Sequence, residues 1–216
     1  MLLISLAALL TSGGIAQGQS IPESFKKIAA QPKIIRCRNE LDVNNQGGHL
    51  QGVQLLESGG ADYAIVTGSS STYAYYSVVK VMTKSEVLSI SRLMPKPYKH
   101  AGGFQIFQSL MAVGIEDNSE KDKSKVCIYE IDDPEKPPVE LLTAIERTGE
   151  PFRFTAGCTG ITKIGSQILV VVGDWDTKHL DFYLSDEQEL RRRASSFEKV
   201  FTIDTERIDA STWSDK

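Results

Sequence analysis

The side chains best suited to chemistry in this chain are two histidines in matching positions. His49 and His100 each stand three residues before a glycine, Gly52 and Gly103, in segments that begin alike. Two imidazoles brought together could hold a divalent metal or share acid–base work with a carboxylate. Asp174 and Asp176, in Gly173-Asp174-Trp175-Asp176, are the natural partners. The competing reading gives each histidine a hydrogen bond to neighbouring backbone. Gly157, at the matching place in a third segment, weakens the idea of a ring of histidines. Gln54, Gln105 and Thr162 follow the three glycines by two residues. They either line a channel for a polar ligand or pair with backbone between repeats, since buried amides must be satisfied somewhere. Trp175 with Tyr73, Tyr75 and Tyr76 could form a platform for a sugar, although aromatics in strands more often fill cores.

Other polar clusters point to less. Glu116-Asp117-Asn118-Ser119-Glu120-Lys121-Asp122 has the acidity of a calcium loop but lacks the glycine hinge and the terminal Glu spacing. It reads as a solvated hairpin loop. Arg191-Arg192-Arg193 follows Asp186, Glu187 and Glu189 within a helical turn, so local pairing is expected. With a formal net charge of -4, the chain offers no basic stripe for nucleic acid. No Gly-x-Ser-x-Gly elbow, phosphate loop, dinucleotide fingerprint or His-Glu-x-x-His occurs. A site assembled from single residues on different repeats would leave no such motif.

The elements that must position these residues form a repeat. The shared glycines fall at 52, 103 and 160, so the spacings are 51 and 57 residues. After each comes a short alternating run: Val53 to Leu56, Phe104 to Phe107 and Ile161 to Ile164. A turn leads to a second, continuously apolar run (Tyr63 to Gly68, Leu110 to Gly114, Ile168 to Gly173) that stops at a glycine and enters a polar loop. A third strand is expected at Tyr75 to Val79, Val126 to Ile131 and Leu180 to Leu184, with an amphipathic outer strand after it, as at Val87 to Ile90 or Val139 to Leu142. Apolar runs without a polar face are strands covered on both sides, whereas alternating strands have one wet face.

A period of this length with four strands per unit predicts an all-β, β-propeller-like fold of about three four-stranded blades, near 49–99, 100–156 and 157–208. A generic β-sandwich is the alternative. Ile128-Tyr129-Glu130-Ile131-Asp132-Asp133-Pro134-Glu135-Lys136-Pro137 resembles the "strand, Asp, Pro, x, x, Pro" blade ending of secreted bacterial propellers carrying the LVIVD type of repeat. The resemblance extends loosely over residues 49–184 and implies a fold rather than an activity. The first and third repeats lack that ending. Ser185-Asp186-Glu187-Gln188 has the form of a capping box and predicts a short helical insertion near 185–196. Residues 21–30 could add a helical turn or two. Closed propellers need about four to eight blades, so three, plus a run from Phe197 to Ile208 that could begin a fourth, predict an open, incomplete ring. Such an arc reads as a fragment of a longer propeller or as a protomer that self-associates through its open blade edge.

Leu2 to Leu10 is an apolar run of signal-peptide length, followed by Ala16-Gln17-Gly18, and is far short of the ~20 residues of a bilayer span. Residues 1–18 are therefore read as a signal peptide without a positive n-region, 19–48 as an N-terminal segment, and 49–216 as the partial propeller. A secreted or periplasmic location follows, with no membrane span once the signal is removed. Cys37, Cys127 and Cys158 show no zinc spacing, and Cys127, in an apolar run, is expected to be a buried thiol. The function expected from these observations is a non-catalytic binding or scaffold module for an extracellular protein or carbohydrate. The alternative is a propeller-type hydrolase, lactonase- or phosphoesterase-like, with a metal near His49, His100 and Asp174. No cofactor is indicated beyond that divalent metal.

Overall fold

A computed structural model describes residues 21–28, 30–31, 37–38, 48–136 and 140–207. The expected signal peptide lies outside the described residues. The chain divides into two compact units, residues 1–35 and 36–216. In the first, the described part is a short helix, α1 (Ile21–Lys26).

The second unit holds three four-stranded antiparallel sheets, each a meander in chain order. The first sheet is β1 (His49–Ser58), β2 (Ala61–Ser69), β3 (Tyr73–Val81) and β4 (Glu86–Pro95). The second is β5 (His100–Phe107), β6 (Leu110–Glu116), β7 (Lys123–Glu130) and β8 (Glu140–Thr148). The third is β9 (Cys158–Ile164), β10 (Gln167–Gly173), β11 (His179–Asp186) and β12 (Glu198–Asp204). First strands meet first strands, β1 against β5 and β5 against β9, in an open, propeller-like arrangement. The run expected to begin a fourth blade instead supplies β12, which pairs with β11 as the fourth strand of the third sheet.

The period-two rule explains why β6 and β7, at the centre of the middle sheet, carry apolar residues on both faces. Met111, Val113, Ile115, Cys127 and Tyr129 face the first sheet and join Ile65, Tyr76 and Val78 in one core. The alternate residues Leu110, Ala112, Val126 and Ile128 face the third sheet and join Ile168, Val170, Val172 and Tyr183 in a second core. Every residue of β6 is buried. The first and third sheets have only one covered face. On the other stand Val53 and Leu55 (69% and 74% exposed) and Ile164 and Phe201 (both 58%).

Two of the repeat glycines permit the sheets to approach. A Cβ on Gly103 would lie 3.0 Å from the backbone of Cys158, and one on Gly52 would lie 2.8 Å from the Phe104 ring. At Gly160, on the open side, the nearest atom would be Gln105 Oε1 at 3.5 Å, an ordinary contact.

The second helix differs from expectation by one residue. α2 (Glu187–Arg191) is capped by Asp186, whose Oδ1 accepts from Gln188 N and Glu189 N at 2.9 and 3.1 Å. Ser185 is held in β11 opposite Ile168, and its hydroxyl meets Ser195 Oγ at 2.8 Å. The helix closes at Arg192 rather than near 196. Arg191 and Arg192 pair with Glu187 and Glu189 as expected, whereas Arg193 reaches Glu140 in the second sheet. Among the described residues no helix is long and apolar enough to cross a membrane.

Candidate functional site

The register of the sheets places polar groups from all three units around one edge. His49 lies opposite Ser69 in β2, and His100 lies opposite Glu116 in β6. One residue further on, Ser70, Asp117 and Asp174 open the hairpins between second and third strands. Their amides donate to Tyr73, Lys123 and His179 carbonyls. Their side chains accept backbone N–H groups of the same loops: Ser70 Oγ from Tyr73, Asp117 Oδ1 from Ser119, and Asp174 Oδ1 from His179. Asp174 is thus a loop-closing residue, and its Oδ2 lies 2.8 Å from His179 Nδ1.

The two histidines do meet. Their ring centroids are 5.4 Å apart and tilted by 55°, and His100 continues the row to Trp175 at 6.4 Å. Beneath this row sits Glu116, whose side chain is fully buried. Trp175 Nε1 donates to its Oε1, and Ala156 N donates to its Oε2 at 2.8 Å. His100 Nε2 is 3.6 Å from Oε1. Burial raises the Glu116 pKa, against the opposing hydrogen bonds from Trp175 and Ala156. Burial, aided by His49 and Lys99, pushes His100 down to about 4. Both members of this pair therefore lean towards their neutral forms.

Trp175 (38% exposed) meets Phe152 (52%) edge-on, with centroids 6.3 Å apart at 70°. Lys121 Nζ stands over both rings, 4.4 Å from the Trp175 centroid and 4.8 Å from that of Phe152. Beside them is a shallow hollow of about 380 Å³ between Phe152 and Arg153 on one side and Asp174, Asp176, Lys178 and His179 on the other. Arg153 is fixed there by two hydrogen bonds to Asp181, at 2.7 and 2.8 Å. Arg147, itself buried, also donates to Asp181 at 2.7 Å. Burial alone would raise the Asp181 pKa, but the bonds from Arg153, Thr202 and Arg147 hold it well below the usual carboxylate range.

The remaining sequence candidates are placed elsewhere. Gln54 bridges the first two sheets: its Nε2 donates to Ile106 O at 2.9 Å and its Oε1 accepts from Ile106 N at 2.6 Å. Gln105 bridges the next pair by accepting from Ile161 N at 2.8 Å. Thr162 is exposed on the open face of the third sheet. Asp176 lies on the rim of the hollow. Tyr75 and Tyr76 are buried, so they offer no platform, while Tyr73 stacks under Arg92 at 4.5 Å. Among the described residues no group of three His, Cys, Asp or Glu side chains could hold a metal ion. Cys37, Cys127 and Cys158 are unpaired thiols, and burial raises that of Cys127 to about 11.

Sequence reasoning placed Glu116 in a solvated hairpin loop, whereas it is the fully buried last residue of β6, and it did not single out Phe152 or His179. Counting the register from His100 finds Glu116, since the matching count from His49 finds Ser69. His179 opens its third strand as Tyr73 and Lys123 open theirs, whereas Phe152 lies outside the repeated positions and carries no such signal.

Comparison with protein families, with curated proteins and with solved structures returns no match. The stretch from the end of the second sheet's third strand, residues 128–136, makes one joint between sheets. Within that stretch, Glu135 accepts from Tyr63 Oη at 2.5 Å and from Lys80 Nζ at 2.6 Å, tying the second sheet's loop to the first sheet.

Proposed function

We propose that this chain is an exported, non-catalytic binding module on a partial β-propeller frame of the LVIVD type, with its ligand surface at the edge where Trp175 and Phe152 stand. One observation carries the reading: apart from Asp176, the polar groups there are engaged in holding structure, while two aromatic rings remain partly open to solvent. Glu116 anchors Trp175 and Ala156, Asp174 closes its own loop, and Arg153 is held by Asp181. Fixed aromatics beside a shallow hollow suit binding of an extracellular protein or carbohydrate. The uncovered faces of the first and third sheets are read as surfaces for self-association. Export rests on the apolar run Leu2 to Leu10.

The hydrolase reading keeps one support, the Asp174–His179 pair on the hollow, which has the form of a base and its orienting carboxylate. One comparison separates the two. The secreted product is expected to be retained on arrays of immobilised glycans and peptides, with retention lost in Phe152→Ala/Trp175→Ala. It is expected to turn over neither phosphoester nor lactone substrates with added Zn²⁺ or Mn²⁺. Turnover abolished by His179→Ala would overturn the binding reading in favour of catalysis.

A further inference from the structure

The corner formed by Trp175 and Phe152 already holds a cation. Lys121 Nζ lies within 5 Å of both ring centroids, between walls inclined at 70°. That is the geometry in which two ring quadrupoles attract one ammonium group. Lys121 shares its loop with Asp117, Glu120 and Asp122, yet among the described residues it forms no ion pair, and Lys123 pairs with Asp117 and Asp122 instead. The rings are its contacts, and the buried Glu116 carboxyl behind Trp175 adds a longer-range attraction.

Three further observations show that the corner is held open. Phe152 adopts φ 68° and Lys121 φ 61°, left-handed conformations that are costly for side chains of this size. Each is fixed by backbone bonds. Phe152 N donates to Lys121 O at 2.8 Å, and Phe152 O accepts from Thr155 Oγ1 at 2.7 Å. The Trp175 N–H donates to the buried Glu116 carboxyl, which fixes the indole plane and draws electron density into its face. The adjoining hollow carries Asp176, which has no ion-pair partner among the described residues, whereas the cations on the same rim, Arg153 and Lys178, pair with Asp181 and Glu206.

We propose that this corner is a binding site for a quaternary ammonium group, with Lys121 as a resident cation that the ligand displaces. This rests on the binding-module reading and names its ligand class. An exposed cation–π contact is worth about 0.5–1 kcal/mol, so Lys121 is a weak competitor, and removing it improves ligand affinity by about two- to fivefold.

The test is a titration with tetramethylammonium chloride, read by tryptophan fluorescence in a Trp213→Phe background so that Trp175 alone reports. Sodium chloride at equal ionic strength serves as the reference. Lys121→Gly accepts the local φ and removes the ammonium, whereas Lys121→Arg keeps a cation. The expected result is a saturable change beyond that of sodium, tighter by two- to fivefold in Lys121→Gly and close to wild type in Lys121→Arg. Choline and phosphatidylcholine vesicles then separate the sources: saturation by choline alone assigns a free solute, and saturation by both assigns a lipid headgroup. No saturable change in Lys121→Gly, or equal affinities with and without Lys121, overturns the proposal. If array retention still depends on Phe152 and Trp175, the binding reading stands and only the ligand class falls.

Discussion

At the scale of single residues, the pair His100 and Glu116 makes a pH prediction whose sign is fixed by burial. An ordinary imidazole titrates near 6.5, and His100 is held at about 4, so it stays neutral in the folded protein where the unfolded chain takes up a proton. Its contribution is fully present above 6.5 and is lost as pH falls from 6.5 towards 4. The size of that loss is on the order of 3 kcal/mol. Glu116 acts in the opposite sense, because its raised pKa favours the protonated, folded form and stability falls as pH rises through its window. Urea unfolding at pH 7 and pH 4 isolates the imidazole. Wild type is expected to lose about 3 kcal/mol more between the two than His100→Gln, and equal losses would show that His100 is not kept neutral. The same burial sets His100 against Glu116 as well as against its repeat counterpart His49. Two imidazoles at matching repeat positions suggest a shared ligand, but His100 is oriented towards a carboxyl that already serves Trp175 and Ala156.

At the scale of elements, the two joints between sheets differ in kind. The first and second sheets are pinned by the neutral Gln54 amide on Ile106. The second and third share the equivalent Gln105 amide on Ile161 and add a buried ion pair, Arg147 of β8 on Asp181 of β11, with Arg153 from the β8–β9 connection. Breaking a buried ion pair leaves a charge without its partner and costs about 3–5 kcal/mol, whereas removing a hydrogen-bonded amide costs about 1–3 kcal/mol. Asp181→Ala is therefore expected to lower the unfolding free energy more than Gln54→Ala. The reverse order in denaturant titrations would mean that the third sheet docks mainly through its apolar face. These joints also mark how far the sequence could be read. Strand positions were legible because glycine, turn and apolar run recur together, but the two-sided burial expected of every continuous run holds only at β6, since β2 and β10 belong to outer sheets and alternate between buried and half-buried residues. The Arg147–Asp181 bond was not legible, since it joins residues far apart in the chain without a shared repeat position. The α2 cap moved from Ser185 to Asp186 because strand pairing with Ile168 outcompetes a local capping preference. Of the candidate site, Trp175 and the histidine pair were visible from spacing, while Phe152 and Lys121 depend on a loop conformation that no periodicity encodes.

At the scale of the whole molecule, the described residues leave apolar side chains exposed on the outer faces of the first and third sheets. The face of the first sheet that carries Gln54 packs on the second, and the face of the second that carries Gln105 packs on the third. The equivalent face of the third sheet, with Thr162, Ile164 and Phe201, is open, as is the opposite face of the first sheet with Val53 and Leu55. We read the open face of one copy as meeting the other open face of a second copy, so that two copies close head to tail. Exposed apolar faces of this kind favour such association. Light scattering is expected to give twice the monomer mass, falling to the monomer in Leu55→Glu and in Phe201→Glu with little change in unfolding midpoint, because both side chains are already solvent-exposed. Mixing the two variants supplies the decisive contrast. A head-to-tail pair keeps one intact interface in the mixture, between the third sheet of Leu55→Glu and the first sheet of Phe201→Glu, so dimer mass partly returns. Pairing of like faces would instead leave one of the single variants dimeric on its own, and a wild-type monomer at every concentration would remove self-association altogether.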